Sequence, residues 1–146
     1  MEISEHAYVQ IRELCAEGDV LVEMEEFADA FKNYMAALEL VPEPRESHEA
    51  TTWILAALGD LYFLTGSYGQ AAQAFADAMH CPGAIGNPFL HLRLGQVHFE
   101  LGDEARAADE LARAYMGAGR QIFEEDDAKY FDFLKTRIEP PASGVW

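Results

Sequence analysis

Three glycines, Gly18, Gly59 and Gly95, head the same downstream pattern. Twelve residues after each stands an alanine (Ala30, Ala71, Ala107), and four further on a bulky residue (Tyr34, Phe75, Leu111). Three residues beyond those comes alanine again (Ala37, Ala78, Ala114). A recurring register of this kind means stacked helical units, because one unit alone cannot bury its apolar face. Glycine and alanine mark where two helices approach closely, and larger side chains fill the space between neighbouring hairpins. The anchors lie 41 and 36 residues apart. The extra residues fall in "VPEPRESHEA" and "CPGAIGNP", both rich in turn formers.

Apolar periodicity predicts helices near 3–24, 27–40, 48–65, 68–80, 88–101 and 104–118, with a seventh near 121–137. Ser67-x-x-Gln70 offers a capping box to the fourth helix and Asp103 an N-cap to the sixth. In the seventh, Ile122, Phe123, Tyr130, Phe131, Phe133 and Leu134 would cover the last hairpin, since terminal repeats need a cap. The tail 139–146, "EPPASGVW" with Ile138 excluded, reads as flexible, with Trp146 able to dock.

The middle unit reads Leu55-x-x-Leu58-Gly59-x-x-Tyr62, then Gly66, Tyr68, Ala71, Phe75 and Ala78. This resembles the tetratricopeptide repeat (TPR) pattern W-x-x-L-G-x-x-Y followed by A-x-x-x-F. The third unit has His91-x-x-Leu94-Gly95-x-x-His98, and the first a degenerate Leu14-x-x-Glu17-Gly18-x-x-Leu21. The resemblance implies an all-α fold: a right-handed TPR superhelix of three helical hairpins plus a C-terminal capping helix. Its repeats would span about 11–44, 52–85 and 88–121, within a single domain over 1–138.

The formal charge is −16, from 26 acidic and 10 basic side chains, and residues 1–50 alone hold −10 of it. Such a chain repels phosphate backbones and attracts basic partners, so no nucleic acid is expected. Cys15 and Cys81 form no paired framework, which fits a reducing cytoplasm. The start "MEISEHAYVQ" lacks the basic and apolar blocks of a signal peptide. The most apolar run, "WILAALGDLYFL", contains Asp60 and is too short to span a bilayer.

Chemistry is harder to place. His91 and His98 are seven residues apart, two helical turns, so one helix face would carry both. They occupy the slots of Leu55 and Tyr62 in the preceding unit, which makes them packing residues rather than metal ligands. "GAGRQI" lacks a third glycine and a preceding strand, so it is a helix–helix turn. Glu124 to Asp127 are consecutive and would fan around a helix, suiting its positive N-terminal end. No serine sits in a nucleophile elbow. The expectation is a non-enzyme without metal or cofactor.

TPR arrays bind other proteins on the concave face built from the first helix of each hairpin, and the resemblance implies the same here. In this register that face carries Asp19 and Glu23, then Trp53, Asp60 and Phe63, then Phe89, Gln96, Phe99 and Glu100, with Arg93 close by. Aromatic anchors beside charges are typical of binding hot spots. The chain's own terminus filling the groove is the competing reading. A lysine and asparagine clamp for a terminal carboxylate is missing, since Cys15, Asp19, Trp53 and Asp60 stand where it would need them. Docking on the outer surface, at Glu25, Glu26 and Asp29, is the other possible geometry.

The end "ARAYMGAGRQIFEEDDAKYFDFLKTRI" resembles the C-terminal portion of small stand-alone bacterial TPR immunity proteins of polymorphic, Rhs-type toxins. The likeness runs over roughly residues 52–138. It implies a chain that binds and neutralises a basic toxin domain, and acidity would speed that association. The alternative is a general TPR adaptor, or a chaperone-like protein for a secretion or assembly system.

Overall fold

The computed structural model describes residues 2–146, all of whose regular elements are helical. They form two compact units, meeting in sequence at Ile85 and Gly86. Unit 1 holds α1 (Glu5–Glu23), α2 (Phe27–Glu39), a 3-10 turn (Arg45–Ser47), α3 (Glu49–Leu64) and α4 (Tyr68–Ala78). Unit 2 holds α5 (Pro88–Glu100), α6 (Glu104–Ala118), a second 3-10 turn (Arg120–Phe123) and α7 (Ala128–Lys135). Helices pair as hairpins α1–α2, α3–α4 and α5–α6, as the spacing predicts.

The glycine register has a direct steric cause. A Cβ on Gly18 would come within 2.7 Å of the Tyr34 ring, and one on Gly59 within 2.7 Å of Phe75. On Gly95 it would meet Leu111 at 2.6 Å. Each anchor glycine is therefore the floor on which the bulky residue of its partner helix rests. The six alanines of the pattern are all fully buried, leaving no room for a larger side chain.

The three hairpin turns are equally alike. Glu26, Ser67 and Asp103 donate backbone N–H groups to Leu21, Tyr62 and His98 at 2.8, 2.8 and 2.9 Å. This closes each first helix through a left-handed residue. Gly66 and Gly102 take that conformation at φ 79° and 83°. In the first hairpin the same place is held by Glu25 at φ 59°, against the steric preference of an L side chain.

Two sequence expectations need correction. Ser67 precedes α4 without a side-chain capping bond, whereas Asp103 does accept from the Arg106 N–H at 3.2 Å. The region 121–137 is not one helix: the 3-10 turn ends at Phe123, and Asp127, with extended ψ of 132°, caps α7 by accepting from the Lys129 N–H. The four acids therefore lie in the break before α7 and on its cap instead of fanning around a helix. The expected apolar residues still make the contact, with Phe123, Tyr130 and Leu134 buried. Within unit 2, Trp146 meets the rings of Tyr115 and Phe131 edge-on at 5.9 and 6.1 Å.

Candidate protein-binding surface

In unit 1, α1 and α3 flank a cleft of about 410 Å³. Asp19 and Glu23 line it from α1 and Asp60 from α3, over an apolar floor of Val22, Ala56 and Leu61. Tyr34 reaches in from α2 and donates its hydroxyl to Asp19 Oδ1 at 2.6 Å, which fixes that carboxylate. Burial, then the Asp19 hydrogen bond, holds the Tyr34 phenol well above its ordinary value, so it stays a donor. Burial and then Asp19 push the Cys15 thiol up to about 11, far from the range of a reactive thiolate.

The aromatic part of this face lies nearer the helix starts. Trp53 is 40% exposed and meets Tyr8 edge-on, centroids 6.0 Å apart, while the Arg12 guanidinium stands 5.9 Å from the Tyr8 ring. Phe63 is half-buried and tilts against Tyr68 of α4 at 5.6 Å.

The equivalent face of α5 is occupied differently. Gln96 is fully buried; its Nε2 donates to Asp126 Oδ2 at 3.0 Å and its Oε1 accepts from Arg93 at 2.7 Å. Arg93 also pairs with Asp126 Oδ1 at 3.3 Å. Phe99 packs edge-on against Tyr130 and Phe133 of α7, at 5.5 and 5.1 Å. Glu100 accepts from the Tyr130 hydroxyl and from Lys129, both at 2.7 Å. Burial would raise its pKa, but those two donors outweigh it and hold the carboxyl below the usual value. Arg93, Gln96, Phe99 and Glu100 thus all contact the chain's own C-terminal segment. Phe89 remains 40% exposed, with the Arg93 guanidinium 5.0 Å from its ring.

The two histidines sit in different surroundings. His91 is buried, with Nδ1 2.6 Å from Glu110 Oε2, while its Nε2 accepts the Gly86 N–H at 3.3 Å. An accepting Nε2 puts the proton on Nδ1, where it points at the carboxylate. His98 is half-buried and its pKa is lowered, chiefly by that burial. Among the described residues, no three His, Cys, Asp or Glu side chains are grouped to hold a metal ion. Nor, among them, is any helix long and apolar enough to cross a membrane.

Sequence reasoning missed Tyr34 as the residue that fixes Asp19, and Asp126 as the bond between the C-terminal segment and α5. The available signal for the first was position: Tyr34 rests on Gly18, the residue immediately before Asp19. Asp126 gave none, because its acidic neighbours look alike in sequence.

Residues 13–80 match the tetratricopeptide repeat family model. That stretch covers α2, α3 and α4 and most of α1. The third hairpin lies beyond it, yet it repeats the same glycine contact through Gly95 and Leu111. Among solved structures, the chain is similar to the type III secretion chaperone SycD of Yersinia enterocolitica, determined in complex with a peptide of the translocator YopD. The TM-score is 0.69 at 18% identity, over 93% of this chain and 95% of that one. At that identity the likeness shows a shared fold. No curated protein matches the sequence.

Proposed function

We propose that this chain is a non-catalytic protein-binding module that holds a basic partner on the α1–α3 face of unit 1. The observation that carries this reading is the open acidic cleft between α1 and α3. The cleft bearing Asp19, Glu23 and Asp60 is open, whereas Gln96, Phe99 and Glu100 on α5 contact α7 and its approach. An acidic, partly apolar cleft beside an exposed tryptophan favours a partner with basic and aromatic side chains.

The finer reading is an immunity protein that binds and neutralises a toxin domain in the cytoplasm. The −16 charge and the likeness of the C-terminal segment to toxin-immunity proteins support it. The second reading, a chaperone for a secretion or assembly system, is supported by the fold shared with SycD, a chaperone that binds a translocator peptide. Capture from the source cell by the tagged chain, beside a Trp53→Ala, Glu23→Gln variant, tests the common part: a true partner is retained by the first and largely lost by the second. Co-expression then separates the two finer readings. An immunity protein rescues growth from its partner, while a chaperone raises the soluble yield of a harmless one. Equal capture by both forms rejects the α1–α3 face.

A further inference from the structure

Residues 139–146 return to unit 2 and rest there on an aromatic side chain. Pro140 and Pro141 lack the N–H that a continued α7 would need, so the chain leaves the helix before them. The hydrogen bonds of this stretch are local. The Gly144 N–H donates to the Pro141 carbonyl at 2.8 Å, and the Val145 N–H to the Ser143 hydroxyl at 3.3 Å. Residues 142–145 are exposed, whereas Trp146 is half-buried, edge-on to Tyr115 of α6 and Phe131 of α7. Those two rings have supports of their own. They stack on each other at 6.0 Å, and Phe131 is backed by the buried Phe123 at 4.9 Å and faced by the Lys135 ammonium at 5.1 Å. Phe123 and Phe131 also line an open cavity of about 170 Å³, with Arg120 and Asp132 among its walls.

We infer that the seam between α6 and α7 is a second binding site, for an extended partner segment carrying an aromatic side chain, and that residues 139–146 are its tethered competitor. An aromatic seam already held in place gives up little freedom when a ring arrives, and edge-on contacts suit any incoming aromatic side chain. The cavity beside it leaves room for groups next to that side chain. A partner's ring enters as the Trp146 indole leaves. Mass action sets the scale. A short tether presents its own end at an effective concentration on the order of 1 mM, so an indole that fills the seam binds, when untethered, with Kd below about 1 mM. The site uses none of the residues of the α1–α3 face, so either can fail and leave the other standing.

The probe is a synthetic peptide of residues 138–146 labelled with fluorescein at its N-terminus, titrated with the full chain and followed by anisotropy. The full chain carrying Trp146→Ala, whose seam is vacated, should bind it saturably with Kd below about 1 mM. The wild-type chain, with its own indole in place, should bind at least about twofold more weakly. The peptide with Trp146→Ala should show no saturable binding. Adding Tyr115→Ala to the Trp146→Ala chain should weaken binding at least about fivefold. Circular dichroism verifies that its helices are intact, and Phe131→Leu replaces Tyr115→Ala if they are not. Absence of saturable binding by the Trp146→Ala chain overturns the inference and leaves Trp146 as packing within unit 2. Equal binding by that chain and wild type, or an affinity untouched by loss of the seam ring, overturns it as well.

Discussion

α1 and α5 begin as equivalents and end in different situations. Both rest on a glycine under a bulky partner residue, and both carry glutamate five residues later. On α5 that glutamate is held by Lys129 and Tyr130, and the neighbouring Gln96 is sealed beneath Asp126. On α1 the glutamate stays exposed at a cleft. A repeat register therefore assigns a residue to a face, but whether that face is available depends on segments outside the repeat. Here about fifteen residues after α6 decide it.

The largest effect on this contrast should come from undoing the closed face. Leu134 of α7 is fully buried, and Leu134→Ala should cost about 2–5 kcal/mol in denaturant unfolding. An unchanged midpoint would mean that α7 contributes little to covering α5. Overpacking the crossings should have the next largest effect, and it should be similar in the two units because the crossings are alike. Ala71→Phe and Ala107→Phe should each destabilise by about 1–3 kcal/mol or more. Glu125→Gln, at an exposed position, should stay within about 0.5 kcal/mol. Equal midpoints for all three would refute the shared register.

A smaller effect, of opposite sign, belongs to the turn that breaks the pattern. Glu25 holds the left-handed position that Gly66 and Gly102 hold elsewhere. Glu25→Gly should stabilise by about 0.5–1 kcal/mol, since relief of the steric cost exceeds the glycine's extra chain entropy. Loss of stability on that change would place a favourable contact on the glutamate. The smallest effect is the acid response of Glu100. Its folded pKa lies below the ordinary value of a glutamate, so its contribution is complete above that ordinary value and is lost as pH falls through the folded pKa. The stability gap between wild type and Glu100→Gln should accordingly narrow on acidification below the ordinary carboxylate range, and a gap that widens there would reverse the assignment.

The hairpins were legible because their cause is local and repeated. Gly18, Gly59 and Gly95 each exclude a Cβ, and that constraint is written directly in residue type. The limits of α2, α3 and α5 follow from the same spacing to within about two residues. The break before α7 was not legible, because Asp127 caps the helix while its neighbour Asp126 bonds to Arg93 and Gln96, about thirty residues away in sequence. Acidic residues in a row carry no mark that separates a capping aspartate from a bridging one. The site was legible to a similar degree. Asp19, Glu23 and Asp60 do line one cleft, while Phe99 and Glu100 meet a segment whose docking depends on three-dimensional fit.

The placement of the two tryptophans gives each unit its own optical reporter. Trp53 stands partly exposed beside Tyr8 in unit 1, and Trp146 rests against Tyr115 and Phe131 in unit 2. With Trp146→Phe, the remaining indole emission comes from the α1–α3 face alone; with Trp53→Phe, it comes from the seam between α6 and the chain end. Partner docking and opening of the C-terminal segment thereby become separate fluorescence signals in one molecule, each readable in real time without an added dye.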